Sequence, residues 1–246
     1  MYQNTIIKTV ESQPVLSLNM RNVDSLFSGF EIGDFAVLYG SHSVQSLVSL
    51  LCVRAQLPPQ LGGLGSNVVF IDGGNTFMLY QIARLAQLHQ LDPKQTLEGV
   101  YLSRAFTAYQ MTALILEKLE ETVKRYDAKL VIISDIAGFF LDKNIQEYEA
   151  RRVYSQVIAY LSSFAKENGI ILIATYPPHQ QTKRNSFFQA VTCGNANVVI
   201  SLSQTRYAKE FILEKHPRQM SGIAELPSET LTLEHFIKGV TNGQNC

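Results

Sequence analysis

Apolar and polar positions along this chain fall into blocks that switch between a period of two and a period near 3.6. Asp34 to Tyr39 has the β-branched and aromatic alternation of a core strand, Gly40 to Ser43 is turn chemistry, and Val44 to Ala55 is apolar on nearly every face. Pro58 and Pro59 stop that helix, and QLGGLGSN reads as a flexible connector to a second apolar strand, Asn67 to Asp72. Thr76 to Leu91 is helical through Leu79, Ile82, Ala83 and Ala86, and Asp92-Pro93 ends it before a short strand, Gly99 to Leu102. Thr107 to Tyr126 carries the clearest stripe: Met111, Leu114, Ile115, Leu119, Val123 and Tyr126. Its other face pairs Glu120 with Lys124 and Glu121 with Arg125, which reads as a solvated surface. Lys129 to Ile136 is a continuous apolar run, the pattern of a strand buried on both faces. Ile145 to Glu167 is an amphipathic helix that Gly169 closes before a strand, Ile170 to Thr175.

Strands alternating with helices across residues 34–175 predict right-handed βαβ crossovers and an α/β fold with a mostly parallel sheet flanked by helices. Val198 to Leu202, Tyr207 to Lys215 and Gly222 to Leu226 are short strands with turn signals between them, which predicts an antiparallel continuation at one sheet edge. Residues 1–28 form a lead-in segment in which Val23, Leu26 and Phe27 share one side of a helical turn closed by Gly29. One core domain over 1–236 and a disordered tail over 237–246 complete the expected organisation.

Composition narrows this picture. A chain of 246 residues, 46% hydrophobic and 17% charged, buries a sizeable core. Lysine plus arginine and aspartate plus glutamate both number 21, so there is no global pull toward nucleic acid or a membrane surface. Cys52, Cys193 and Cys246 lack paired-ligand spacing and the five histidines form no H-x-x-x-H, so neither a disulfide framework nor a zinc or other metal site is expected. Cys52 reads as a buried helix residue. No apolar run reaches transmembrane length, and the expected location is cytoplasmic, nucleoid-associated if the protein binds DNA.

The stretch GDFAVLYGSHSVQSLVSLLCVRAQ, Gly33 to Gln56, has the strand, turn and helix of a phosphate-binding loop. Such loops read Gly-x-x-x-x-Gly-Lys-Ser/Thr: backbone amides cradle phosphate, the lysine reaches the β and γ oxygens, and the hydroxyl holds magnesium. Here only Gly40 is in place; Gln45, Ser46 and Leu47 stand where the second glycine, the lysine and the hydroxyl belong. Gly40, Ser41, His42, Ser43 and Ser46 are therefore vestigial nucleotide-site candidates, and a plain strand-to-helix turn is the competing reading.

With these elements in order, the chain resembles the RecA/RadA recombinase ATPase core, and in particular short archaeal RadA paralogues. FIDGGNTF at Phe70 to Phe77 is similar to the family's YIDTEGTF, and Gln81 to Met111 resembles the family in element length and in its Arg104-Ala105-Phe106 run. KLVIISDIAGFF, Lys129 to Phe140, resembles the Walker B strand, and FILEKHPRQMSGIAEL, Phe211 to Leu226, the late hairpin with its P-x-x-x-x-G turn. The resemblance implies a RecA-like P-loop NTPase fold over roughly residues 20–236. It also places the family's water-activating glutamate at Gly74 and its magnesium-associated aspartate at Ser134, with Asp135 one residue late and facing away unless a bulge redirects it.

Phosphoryl transfer rests on positioned charge, so these departures from the Walker A and Walker B patterns predict a protein without ATPase activity and no bound ATP or other cofactor. The expected role is an accessory factor in homologous recombination or DNA repair that binds single-stranded DNA, a RecA/RadA-family recombinase or paralogue, or both. The alternatives are a regulatory ATPase with an unorthodox phosphate loop and a structural cap on a recombinase filament. In the recombinases that the chain resembles, two loops approach DNA; the corresponding passages are Gly138 to Glu149 and Tyr176 to Asn197. The second joins Lys183 and Arg184 to Phe187 and Phe188, offering phosphate attraction beside aromatic faces on which bases stack, with phenylalanines tucked back onto the sheet as the competing reading.

Overall fold

The computed structural model describes residues 14–204 and 208–226. The chain begins with β1 (Val15–Leu16), α1 (Arg21–Asp24) and β2 (Phe30–Glu31), the two strands pairing antiparallel. It continues through β3 (Phe35–Gly40), α2 (Ser43–Arg54), β4 (Asn67–Asp72), α3 (Leu79–Leu88), α4 (Pro93–Glu98) and β5 (Val100–Arg104). Next come α5 (Ala108–Ala113), a π-helical segment (Leu114–Lys118), α6 (Leu119–Arg125), β6 (Ala128–Ser134), α7 (Glu147–Glu167) and β7 (Ile171–Tyr176). The last elements are α8 (Lys183–Asn195), β8 (Val198–Gln204), β9 (Lys209–Lys215) and β10 (Gly222–Leu226). Tyr207, the expected start of β9, and the expected tail lie outside the described residues.

Eight strands form one sheet in the order β10-β9-β8-β3-β7-β6-β4-β5. The alternating strand–helix pattern yields the parallel pairs β3/β7, β6/β7, β4/β6 and β4/β5. β8 differs from expectation: it lies parallel to β3, so the antiparallel part begins only at β9. The reason is α8, which returns the chain across one face after β7 and makes β8 the end of another βαβ crossover.

The continuous apolar runs are explained by burial on both faces. Ala36 and Leu38 of β3 join one core with α2 and α3, while Phe35 and Val37 join a second with α7. β6 splits in the same way, Leu130 and Ile132 against Val131 and Ile133. Cys52 is fully buried in the first core, as read.

The predicted helix over 107–126 is interrupted. Its buried residues Met111, Ile115, Leu119 and Val123 recur every fourth position. On a regular helix that spacing drifts by about 40° per step. The π turn at Leu114–Lys118 accommodates an extra residue and brings the stripe back to the core. The solvated pairs Glu120–Lys124 and Glu121–Arg125 both form. A second difference is α4: Asp92-Pro93 ends one helix and starts another, with Pro93 at its first position and the Asp92 carboxylate accepting the Gln95 amide at 2.7 Å.

The glycine-rich connector is held in place, contrary to its reading as a flexible link. Buried Arg54 of α2 donates to Ser17 O at 2.5 Å, Ser17 Oγ at 3.0 Å and Leu61 O at 2.8 Å, stapling lead-in segment and connector to the helix. Burial lowers the Arg54 pKa to about 10, so the guanidinium remains charged at neutral pH. Gly63 is required by space: a Cβ there would lie 2.1 Å from Leu57 O. In the lead-in segment Val23 and Phe27 are buried and Leu26 half-buried, and Asn22 reaches Glu225 O at 3.1 Å along β10.

Candidate functional site

The carboxyl ends of parallel strands are where α/β sheets gather ligands, because helix N-termini and loops converge there. At this edge β3 stops at Gly40 and α2 starts at Ser43, leaving only Ser41 and His42 between them. Gly40 has φ +103°, and a Cβ on it would sit 2.3 Å from Leu202 O. Ser41 N donates to that same carbonyl at 2.7 Å, so the turn is fastened to β8. Val44 N and Gln45 N donate back to Ser41 O and His42 O, both at 3.1 Å. Of the candidate nucleotide residues, Gly40 and Ser41 are half-buried, His42 is exposed and Ser43 is buried. Ser46 lies a turn further along α2, half-buried beside buried Leu47. Ser41 Oγ is shut from solvent without a hydrogen-bond partner.

The ends of β4, β6 and β7 hold a different arrangement. Asp72, fully buried at the end of β4, accepts Thr76 N at 2.9 Å and Ser134 Oγ at 2.8 Å through Oδ1. Its Oδ2 accepts Phe77 N and Arg104 Nη2, each at 3.3 Å. Asp135 follows β6 with φ +46°, a left-handed turn rather than a bulged continuation of the strand. Its Oδ1 meets His179 Nε2 at 2.8 Å and Gly138 N at 3.0 Å, and its own amide donates to Thr175 Oγ1 at 2.9 Å. Asp135 also occupies the space in front of Gly74: a Cβ there would lie 2.9 Å from Asp135 Cβ and 3.4 Å from Oδ2. Arg104 and His179 are the residues that sequence reasoning did not single out. Arg104 had a signal in the Arg-Ala-Phe run, whereas His179 follows two prolines with nothing in its neighbours to mark it.

The basic and aromatic passage expected as a DNA-facing loop is largely helix α8, capped by the Thr182 hydroxyl, which accepts Asn185 N. Phe188 is fully buried, its ring 4.3 Å from that of Tyr154, so no base can stack on it. Phe187 is half-buried under Arg151, whose guanidinium lies 4.4 Å from the ring centre. Arg184 donates to Asp142 O at 3.0 Å and Ile145 O at 3.1 Å, tying α8 to the segment before α7. Of the four residues only Lys183 is exposed. A phenylalanine pair among polar residues reads as a surface feature only while the segment is taken for a loop; on a helix one of the two must face the sheet.

This fold has known counterparts. The Rad51 family model matches residues 14–206, well over half of the chain, and the protein belongs to that family. A similar protein is the DNA repair and recombination protein RadA of Cenarchaeum symbiosum (strain A), 32% identical over 102 residues. The matched stretch is 42% of this chain and 25% of that relative, so it spans only about a quarter of the relative's length. The mostly parallel sheet, flanking helices and antiparallel end agree with a RecA-like core. Among the described residues no helix is long and apolar enough to cross a membrane.

Proposed function

We propose that this protein is an accessory member of the Rad51 family, acting in recombination or repair through contacts with partner molecules and without turnover of ATP. The observation that supports this most is the connection between β3 and α2. A phosphate-binding loop needs several residues with free amides between its strand and its helix. Here two residues make the connection, and Leu202 O already accepts the Ser41 amide. Magnesium triphosphate does not fit the donors present. No lysine occurs between Lys8 and Lys94, Leu47 is buried, and the Asp72 carboxylate already accepts from Thr76, Phe77, Arg104 and Ser134 of the protein itself. Asp135 is turned toward His179, and Gly74 has no side chain with which to prepare a water.

A recombinase-type partner protein is the favoured contact, with RadA as the kind of relative that suggests it. Single-stranded DNA remains in the proposal through exposed Lys183. The test is nucleotide titration and a sensitive hydrolysis assay on the full chain. No magnesium-dependent turnover is expected, and turnover abolished by Ser46→Ala would overturn the reading. Binding of labelled single-stranded DNA that is equal in the parent and in Lys183→Ala/Arg184→Ala would remove α8 from it.

A further inference from the structure

Away from the β3–α2 turn, a small open groove lies between α5 and α7. Ala108, Phe140, Ile145, Ala150 and Val153 make it apolar, and Glu149 is the one carboxylate in its lining. Glu149 Oε1 accepts the Tyr109 hydroxyl at 3.2 Å across the mouth. Among the described residues no ion pair forms on Glu149; its neighbour Arg151 is bound to Glu147 and covers Phe187. The uncompensated carboxylate also raises the Tyr109 phenol above its ordinary range. Tyr109 of the lining is 67% exposed, and Phe106 and Tyr148, which lie close in sequence to the lining residues Ala108 and Glu149, are also exposed. An exposed aromatic side chain beside an apolar groove marks a contact surface, because it offers much apolar area at little entropic cost.

An apolar trough with a single carboxylate at its lip suits a side chain that is itself an apolar stem with a cationic head. We propose that the α5/α7 groove is a docking site for a basic segment of a protein partner. An arginine or lysine stem lies along Ala108, Ile145 and Val153, and its head meets Glu149 and the face of Tyr109. The same carboxylate repels phosphate, which disfavours a nucleic-acid occupant. The helix-stabilising role of a glutamate in the first turn of α7 asks for neither the groove nor the exposed ring beside it. The inference stands without the proposed function: it holds whether or not ATP is turned over.

The test is selection from a random library of displayed dodecapeptides on the immobilised full chain, followed by affinity measurement. Selected peptides are expected to place arginine or lysine beside apolar residues. Binding is expected to fall about tenfold in Glu149→Gln, the scale of one lost charged hydrogen bond, and to the same degree when arginine is replaced by neutral citrulline. Thr112→Arg, which puts a cation into the groove, is expected to block it. Urea unfolding of each variant separates lost docking from lost folding. Selection without basic residues, or no selection, overturns the proposal, as does equal binding by Glu149→Gln. Binding of a dT oligonucleotide that Tyr109→Ala abolishes would assign the groove to nucleic acid instead. Concentration-dependent self-association abolished by Glu149→Gln would assign it to a second copy, and either result overturns the proposed occupant.

Discussion

The β3–α2 turn and the ends of β4 and β6 close the same edge of one sheet, yet they are held together by opposite means. The first is short and made of backbone: a glycine pressed against Leu202 O, and amides that return to carbonyls three residues back. The second is made of side chains around a buried carboxylate, with Asp72 collecting Thr76, Phe77, Ser134 and Arg104. In the first the Ser41 amide is taken by Leu202 O while Ser41 Oγ has no partner; in the second the carboxylate is taken by donors of the protein itself. This edge is thus held from within the chain, by backbone hydrogen bonds at one place and by a buried carboxylate at the other.

The largest test of this contrast is Asp72→Ala. It leaves Ser134, Thr76 and the Arg104 head without their acceptor, and a loss of about 3 kcal/mol is expected in urea unfolding. An unchanged midpoint would mean that the carboxylate does not organise its side of the edge. Gly40→Ala strikes the other side: with φ +103° and Leu202 O at 2.3 Å from the new Cβ, a cost of about 2 kcal/mol is expected. Ser46→Lys supplies the missing ammonium on α2 without lengthening the turn. Nucleotide affinity is expected to rise by less than about tenfold with no magnesium-dependent hydrolysis, whereas turnover would show that the short turn is not the barrier. Smallest is His179→Ala, which removes one partner of Asp135 while Gly138 N stays; a loss of about 1 kcal/mol is expected, read by thermal unfolding.

The elements that alternate most regularly were legible in the chain. β4 agrees with its reading residue for residue, and β3, α7 and β7 differ by a residue or two at their ends, where caps and not patterns decide. What went unread has specific causes. Asp92-Pro93 signals both a stop and a start, so α4 was hidden behind the end of α3. α8 carries few apolar residues and begins soon after two prolines, so its Thr182 cap was the one signal, and of the two readings of Phe188 the structure bears out the ring tucked onto the sheet. Ser46 at the lysine position was read from the phosphate-loop pattern and Gly74 at the glutamate position from the family resemblance; the shortness of the turn was not read, because where the helix starts depends on the fold.

By itself the chain determined which residues are buried on which face of the sheet, since periods of two and 3.6 follow from backbone geometry alone. It also determined which residues stand from the end of β3 into the first turn of α2, Gly40 to Ser46. Only the tertiary structure decided where the charged groups point. Asp135 meets His179 across 44 residues, and Arg54 meets Ser17 across 37. Hydrogen bonds over such separations depend on how strands are ordered in the sheet, and no local period encodes that order.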